Sequence, residues 1–213
     1  RLQMLYDNNL VDGGLDQFGR RIYDGRFQSG QEWRIDKSIG YSNYHAGIVE
    51  FKKRFSDGWG AFGSYTYGVD KDNDSNERSA SGNQITDIYN LKADYGYSDR
   101  SIKHRVVVSG YGDLPLGFKI AGTFTWRTGQ PYNPLLGDDA NGDNEFNDRP
   151  VINGQVAERN SFRQPDFKNI DIRVTKAFTT SAGRFDVFLE VFNLLNWENL
   201  FTTRTDYDSS RFG

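Results

Sequence analysis

Across residues 104–132 two runs of alternating residues are joined by a turn, and each run keeps its fixed charges on one face. In the first run His104, Val106, Val108, Gly110, Gly112 and Leu114 share a face, opposite Arg105, Val107, Ser109, Tyr111 and Asp113. In the second, Phe118, Ile120, Gly122, Phe124 and Trp126 oppose Lys119, Ala121, Thr123, Thr125 and Arg127. Side chains of an extended chain point alternately to opposite sides, so a period of two predicts half-buried strands. Pro115, which presets φ, and Gly117, which tolerates positive φ, predict the turn of an antiparallel hairpin between them.

The same unit recurs on either side. Upstream, Gly47, Val49 and Phe51 alternate with Ala46, Ile48, Glu50 and Lys52; Ser56, Asp57 and Gly58 turn the chain; then Trp59, Ala61, Gly63, Tyr65, Tyr67 and Val69 alternate with small or neutral residues. Downstream, Ile170, Ile172 and Val174 oppose Asp171, Arg173 and Thr175, and a turn over residues 179–183 leads to a last run. There Phe185, Val187, Leu189 and Val191 oppose Asp186, Phe188, Glu190 and Phe192. Phe185, Phe188, Leu189 and Phe192 also fit a helical face, but the β-branched and aromatic content favours a strand.

The chain thus divides into hairpins at 44–69, 104–128 and 168–195, a loop-rich segment at 1–43 with a strand expected at 32–37, long polar loops at 70–103 and 129–167, and a tail at 196–213. Strand extensions are expected within 85–97. In an up-and-down meander successive connections fall at opposite ends of the sheet, so the short turns gather at one end and the long loops at the other. Compact domains rarely carry structureless loops longer than about 15 residues, whereas outer-membrane barrels pair short periplasmic turns with long extracellular loops. The fold class expected is all-β: an antiparallel up-and-down transmembrane β-barrel, represented here by about six or seven strands of a larger barrel.

A soluble β-sandwich would show the same alternation. Three features favour the membrane: runs of about ten residues, the length of a tilted strand crossing the hydrocarbon; faces without fixed charge; and aromatics near strand ends (Tyr44, Phe55, Trp59, Tyr67, Phe118, Trp126, Phe178), where interfacial girdles sit. A mean hydropathy of -0.73 and the lack of a long apolar run exclude a transmembrane helix but not a barrel. The net charge of -3 gives no electrostatic case for nucleic acid. With no cysteine there is neither a disulfide framework nor a thiolate site. RLQMLYDNNL lacks the apolar core of a signal peptide, and the chain is expected to be a fragment.

Taken in order, SNYHAGIVEFKKRFSDGWGAFGSYTYG, HRVVVSGYGDLPLG, WRTGQPY, DANGDNEFNDRP, RNSFRQPDFKNIDIRVTKAF and FLEVFNLLNWENLF resemble the C-terminal part of TonB-dependent outer-membrane receptors, and within them the Oar-like, OmpA-related subgroup. The likeness spans about residues 41–201. It implies a barrel of about 22 strands around an N-terminal plug, with nutrient uptake across the outer membrane driven by the TonB complex. The implied partners are outer-membrane lipid, the remaining barrel strands, the plug and the TonB complex.

The richest polar cluster is Asp138, Asp139, Asn141, Asp143, Glu145, Asn147 and Asp148. Oxygens at alternate positions suit a hard cation, so Asp139, Asn141, Asp143, Glu145 and Asp148 are candidate calcium ligands. An EF-hand is excluded, because Asn144 stands where its glycine belongs and Pro150 where its bidentate glutamate belongs. A solvated, turn-rich loop is the competing account. His45 and His104 are expected at strand ends near an interface. Asp186 and Glu190 are read as lumen carboxylates opposite Arg173, Arg105 and Arg127 rather than an acid–base pair. Asp72, Asp74, Glu77 and Arg78 read as a solvated loop, and Tyr132, Phe146, Phe162 and Phe167 as aromatics available for ligand capture at the outer surface. No nucleophile elbow or phosphate loop is present, and no enzyme is expected. Two other functions stay open: a secreted or surface β-sandwich binding carbohydrate with calcium, and a structural barrel supporting a surface assembly.

Overall fold

The structure, a computed structural model, describes residues 2–75, 85–200 and 203–212. Its strands in chain order are β1 (Leu2–Asp7), β2 (Leu10–Leu15), β3 (Arg21–Arg26), β4 (Arg34–Gly40), β5 (Ser42–Ser56), β6 (Trp59–Asp72), β7 (Gly96–Tyr97) and β8 (His104–Leu114). They continue with β9 (Phe118–Arg127), β10 (Pro131–Tyr132), β11 (Val151–Ile152), β12 (Gln155–Val156), β13 (Phe162–Arg163), β14 (Phe167–Thr180) and β15 (Gly183–Val191). One antiparallel sheet runs β15-β14-β9-β8-β6-β5, with β7 added to β6 beyond the path. Every pairing within that path joins strands that the alternating sequence predicts, including β15, whose helical alternative is not adopted.

Register places the charge-free residues side by side. Val106 pairs with Trp126 and Tyr65, Val108 with Phe124 and Gly63, and Gly112 with Ile120 and Trp59. Ile172 faces Gly122 and Val191, and Val174 faces Ile120 and Leu189. The opposite face gathers Ser109, Thr123 and Asp171 in one row and Tyr111, Ala121, Arg173 and Glu190 in the next. Among the described residues no second sheet packs on either face. Val49 is 70% exposed, Val108 47% and Leu189 68%, which excludes a sandwich, since a sandwich would bury one of the two faces. The apolar face suits lipid and the polar face a lumen.

Both ends of the apolar face carry aromatics. Near the short turns lie Trp59, Phe118, Phe178 and Phe185, with Lys53 Nζ 4.1 Å from the Trp59 ring. At the loop end His104 stacks against Tyr65 and Trp126 at 6.1 and 6.3 Å, and its Nδ1 is 2.8 Å from the Tyr65 hydroxyl. The span from His104 to Leu114, at about 3.3 Å per residue and a tilt of about 40°, projects to roughly 25 Å, the height of an outer-membrane apolar band. In the β8–β9 turn Gly117 takes positive φ, 72°, as predicted, and Leu116 does so as well at 61°, which the sequence did not signal.

The loop end differs from the sequence expectation. Residues 1–43 are not simply a loop, since β1 pairs with β4 and β2 with β3. The strand expected at 32–37 is β4, shifted to Arg34–Gly40, and of the extensions expected within 85–97 only β7 forms. The buried apolar residues lie here and not in the main sheet, and Met4, Tyr6 and Ile85 form a small apolar core. Around it Asp72, Asn73, Asp94, Asn141, Asp148, Arg149, Arg159 and Asn160 are each at most 5% exposed.

Candidate functional site: the outer loop body

Buried charges pack only when paired and hydrogen-bonded. At the end of β6, Arg159 Nη1 donates to Asp72 Oδ1 at 2.6 Å and to the Asp72 carbonyl at 2.9 Å, while Nη2 donates to Ser75 Oγ at 2.8 Å. Arg149 Nη1 donates to Asp94 Oδ1 at 2.8 Å, and the same carboxylate accepts the Thr86 amide and hydroxyl. Arg26 Nε donates to Asp7 Oδ2 at 2.8 Å. Burial acts against ionisation of Asp7, but Arg26 and the amides of Asn9 and Trp33 outweigh it and hold its pKa below the ordinary value. Arg149 and Arg159 thus tie the two long loops to each other and to β6, and the N-terminal strands join the same body where Arg21 Nε donates to Asp87 Oδ1 at 3.2 Å and Arg20 Nη2 to the Arg149 carbonyl at 2.8 Å.

The reading of Asp72 and Asp74 as solvated is therefore corrected: they are 0% and 7% exposed. Glu77 and Arg78 lie outside the described residues. Arg149 and Arg159 escaped sequence reasoning because their partners are 55 and 87 positions away, with no local pattern to mark them.

All five candidate calcium ligands fall in this body, on one tightly turned loop. Asp139 accepts the amides of Gly142, Asp143 and Asn144 at 2.7, 3.1 and 2.9 Å. Asp148 Oδ2 accepts those of Ala140 and Asn141, and its Oδ1 is 3.9 Å from Arg20 Nε. Asn141 reaches Asp143 Oδ2 at 3.2 Å, Asp143 Oδ1 accepts the Glu145 amide, and Glu145 lies 3.6 Å from Arg34. These oxygens turn toward backbone donors. Among the described residues no group of three or more His, Cys, Asp or Glu is placed to hold a metal ion. Burial, with Asp148 and Asp139 nearby, pushes the Asp143 pKa up to about 7 against its hydrogen bonds, and burial also raises Asp148 and Glu145.

Of the four capture aromatics, the structure brings two together. Tyr132 and Phe162 are 5.9 Å apart on paired strands β10 and β13, and Tyr207 and Phe212 complete a cluster with Phe162 at 6.3 and 5.2 Å. Phe146 is 66% exposed, and Phe167 starts β14 beneath Arg127. Beside Tyr132 opens a cavity of about 490 Å³ floored by Arg159 and Asn160 and walled by Gln130 and Gln164. Gly129 holds that wall close, because a Cβ there would overlap the Gln164 carbonyl.

On the lumen face Glu190 is opposite Arg173, but Arg105 and Arg127 face each other, and Asp186 is bonded by Arg184 at 3.2 Å. Arg173 lies 3.8 Å over the Phe188 ring, and Phe55 stacks on Tyr111 at 5.6 Å.

An antiparallel sheet with one lipid-facing and one lumen-facing side, short turns at one end and a folded loop body at the other is a transmembrane barrel wall of the outer-membrane type. The model of a family described as an outer membrane beta barrel domain matches residues 5–157. The chain belongs to that family and resides in the bacterial outer membrane. No curated protein and no solved structure matches it.

Proposed function

We propose that this chain is the barrel portion of a TonB-dependent receptor that takes up a nutrient across the outer membrane. The observation that carries the reading is the character of the lumen face. An open water-filled channel calls for a polar lining, yet here Phe55, Tyr111 and Phe188 are 47%, 52% and 53% exposed on the lumen side. With Arg173 and Lys119, Phe55 and Tyr111 border a recess of about 420 Å³. Exposed aromatics beside charges suit a packed protein surface, as a plug domain would supply. The ordered motifs along residues 41–201 support the same reading.

The full-length gene, expressed in its host, tests it. Accumulation of a limiting nutrient is expected to require the receptor, the TonB complex and the proton gradient together. Passive flux that persists after loss of TonB would identify a pore, and an unchanged nutrient requirement with a lost surface assembly would identify a structural barrel.

A further inference from the structure

The cavity beside Tyr132 combines a fixed floor with unspent hydrogen-bonding groups. Asn160 is 2% exposed, and its amide donates to the Tyr97 carbonyl at 2.7 Å and to Asp99 Oδ1 at 2.6 Å. Arg159 is held by Asp72 and Ser75. The floor is therefore set before any ligand arrives, which lowers the ordering cost of binding. The wall is different. The Gln130 and Gln164 backbones are joined at 2.9 Å, while their side-chain amides and the Tyr132 hydroxyl make no hydrogen bond among the described residues. Each amide offers two donors and an acceptor side by side.

Charge narrows the ligand class. Arg159 lies between Asp72 at 2.6 Å and Asp99 at 3.9 Å, and with Arg100 on the rim the two cations are matched by these two carboxylates. A strongly anionic chelate would find no surplus of cations, and a cationic ligand no surplus of carboxylates. What the lining matches is a neutral molecule dense in vicinal hydroxyls, with amides bridging adjacent oxygens and an apolar ring face lying on Tyr132. The volume of about 490 Å³ falls within the roughly 300–1,000 Å³ of small-ligand sites.

We propose that this cavity binds a neutral saccharide at the outer surface. The proposal deepens the receptor reading by naming the ligand class, and it rests on that reading only for what happens after capture. Its test is equilibrium binding to the full-length protein in detergent micelles, with neutral gluco-, manno-, galacto- and xylo-oligosaccharides as probes and short peptides and ferric citrate in parallel. One oligosaccharide series is expected to bind saturably. The double variant Gln130→Ala/Gln164→Ala, and Tyr132→Ala alone, are each expected to weaken it by about tenfold or more, with far-ultraviolet circular dichroism unchanged. Tyr132→Phe, which keeps the ring face, is expected to lose less. Absence of oligosaccharide binding, preference for the peptides or ferric citrate, or binding indifferent to these variants would each overturn the proposal. Because binding in micelles needs no energy source, its failure is distinguishable from failure of TonB-dependent uptake in cells.

Discussion

Arg159 Nη1 and Asp72 Oδ1 are 2.6 Å apart, with side chains 2% and 0% exposed, and so fasten the third loop (residues 129–167, after the segment at 1–43 and the second loop at 70–103) to the end of β6 across 87 positions. Arg159→Met would leave Asp72 charged and buried without its partner, at a cost of about 3–5 kcal/mol to the loop body. Limited proteolysis of the purified protein is expected to open residues 129–163 while the main sheet stays protected. Adding Asp72→Asn is expected to restore part of the protection, because the orphaned charge is then gone.

The two faces of the sheet are expected to answer oppositely to the same substitution. Val108→Arg places a cation on the lipid side near mid-band, at about 2–4 kcal/mol, whereas Thr123→Arg points into the lumen. Outer-membrane assembly, read by heat-modifiable mobility, is expected to fail for the first and survive for the second.

Sidedness follows from the two ends. Leu116, 83% exposed in the β8–β9 turn, belongs to the periplasm, and Phe146, 66% exposed in the third loop, to the outside. With cysteine introduced singly, a membrane-impermeant maleimide on intact cells is expected to label Phe146→Cys and to spare Leu116→Cys until the outer membrane is breached.

Asp143 makes the loop body acid-favoured. Its folded pKa of about 7 stands above the unfolded value of 3.8, so the folded state binds the extra proton. The stabilisation is complete below the unfolded value and is lost as pH rises through about 7. Asp148, raised by burial as well, adds in the same direction. Amide exchange at residues 139–148, corrected for intrinsic rates, is expected to quicken across that window, and Asp143→Asn to flatten most of the trend.

The calcium question has a direct readout. With Asp139 and Asp148 already accepting five backbone amides between them, calorimetry with millimolar calcium is expected to show no binding heat, and chelation to leave exchange in residues 139–148 unchanged. A saturable heat lost in Asp139→Asn would show that the cation displaces those amides.

What the sequence revealed and what it hid divide along the membrane boundary. Strands β5, β6, β8, β9, β14 and β15 were legible because lipid on one side and lumen on the other impose a strict period of two, as at Val106, Val108 and Leu114 against Arg105 and Asp113. The loop body is organised by single long-range partnerships instead. Nothing near Asp72 or Asp94 in the chain announces Arg159 or Arg149, and β1 and β4 pair without an alternating pattern to signal it. The cavity was half visible: Tyr132 and Phe162 stood out as aromatics in polar loops, but Gln130 and Gln164 gain their meaning only when β10 and β13 meet.

The ion pairs that weld the loops also decide how the mouth of the barrel moves. Separate loops would flicker independently, each on its own timescale. Here Asp72 belongs to a wall strand, and Arg159, Asp94 and Arg149 hold the second and third loops together beyond it, so any widening of the entrance turns the whole lid about the strand ends. Displacing one of the joined segments therefore displaces the others with it.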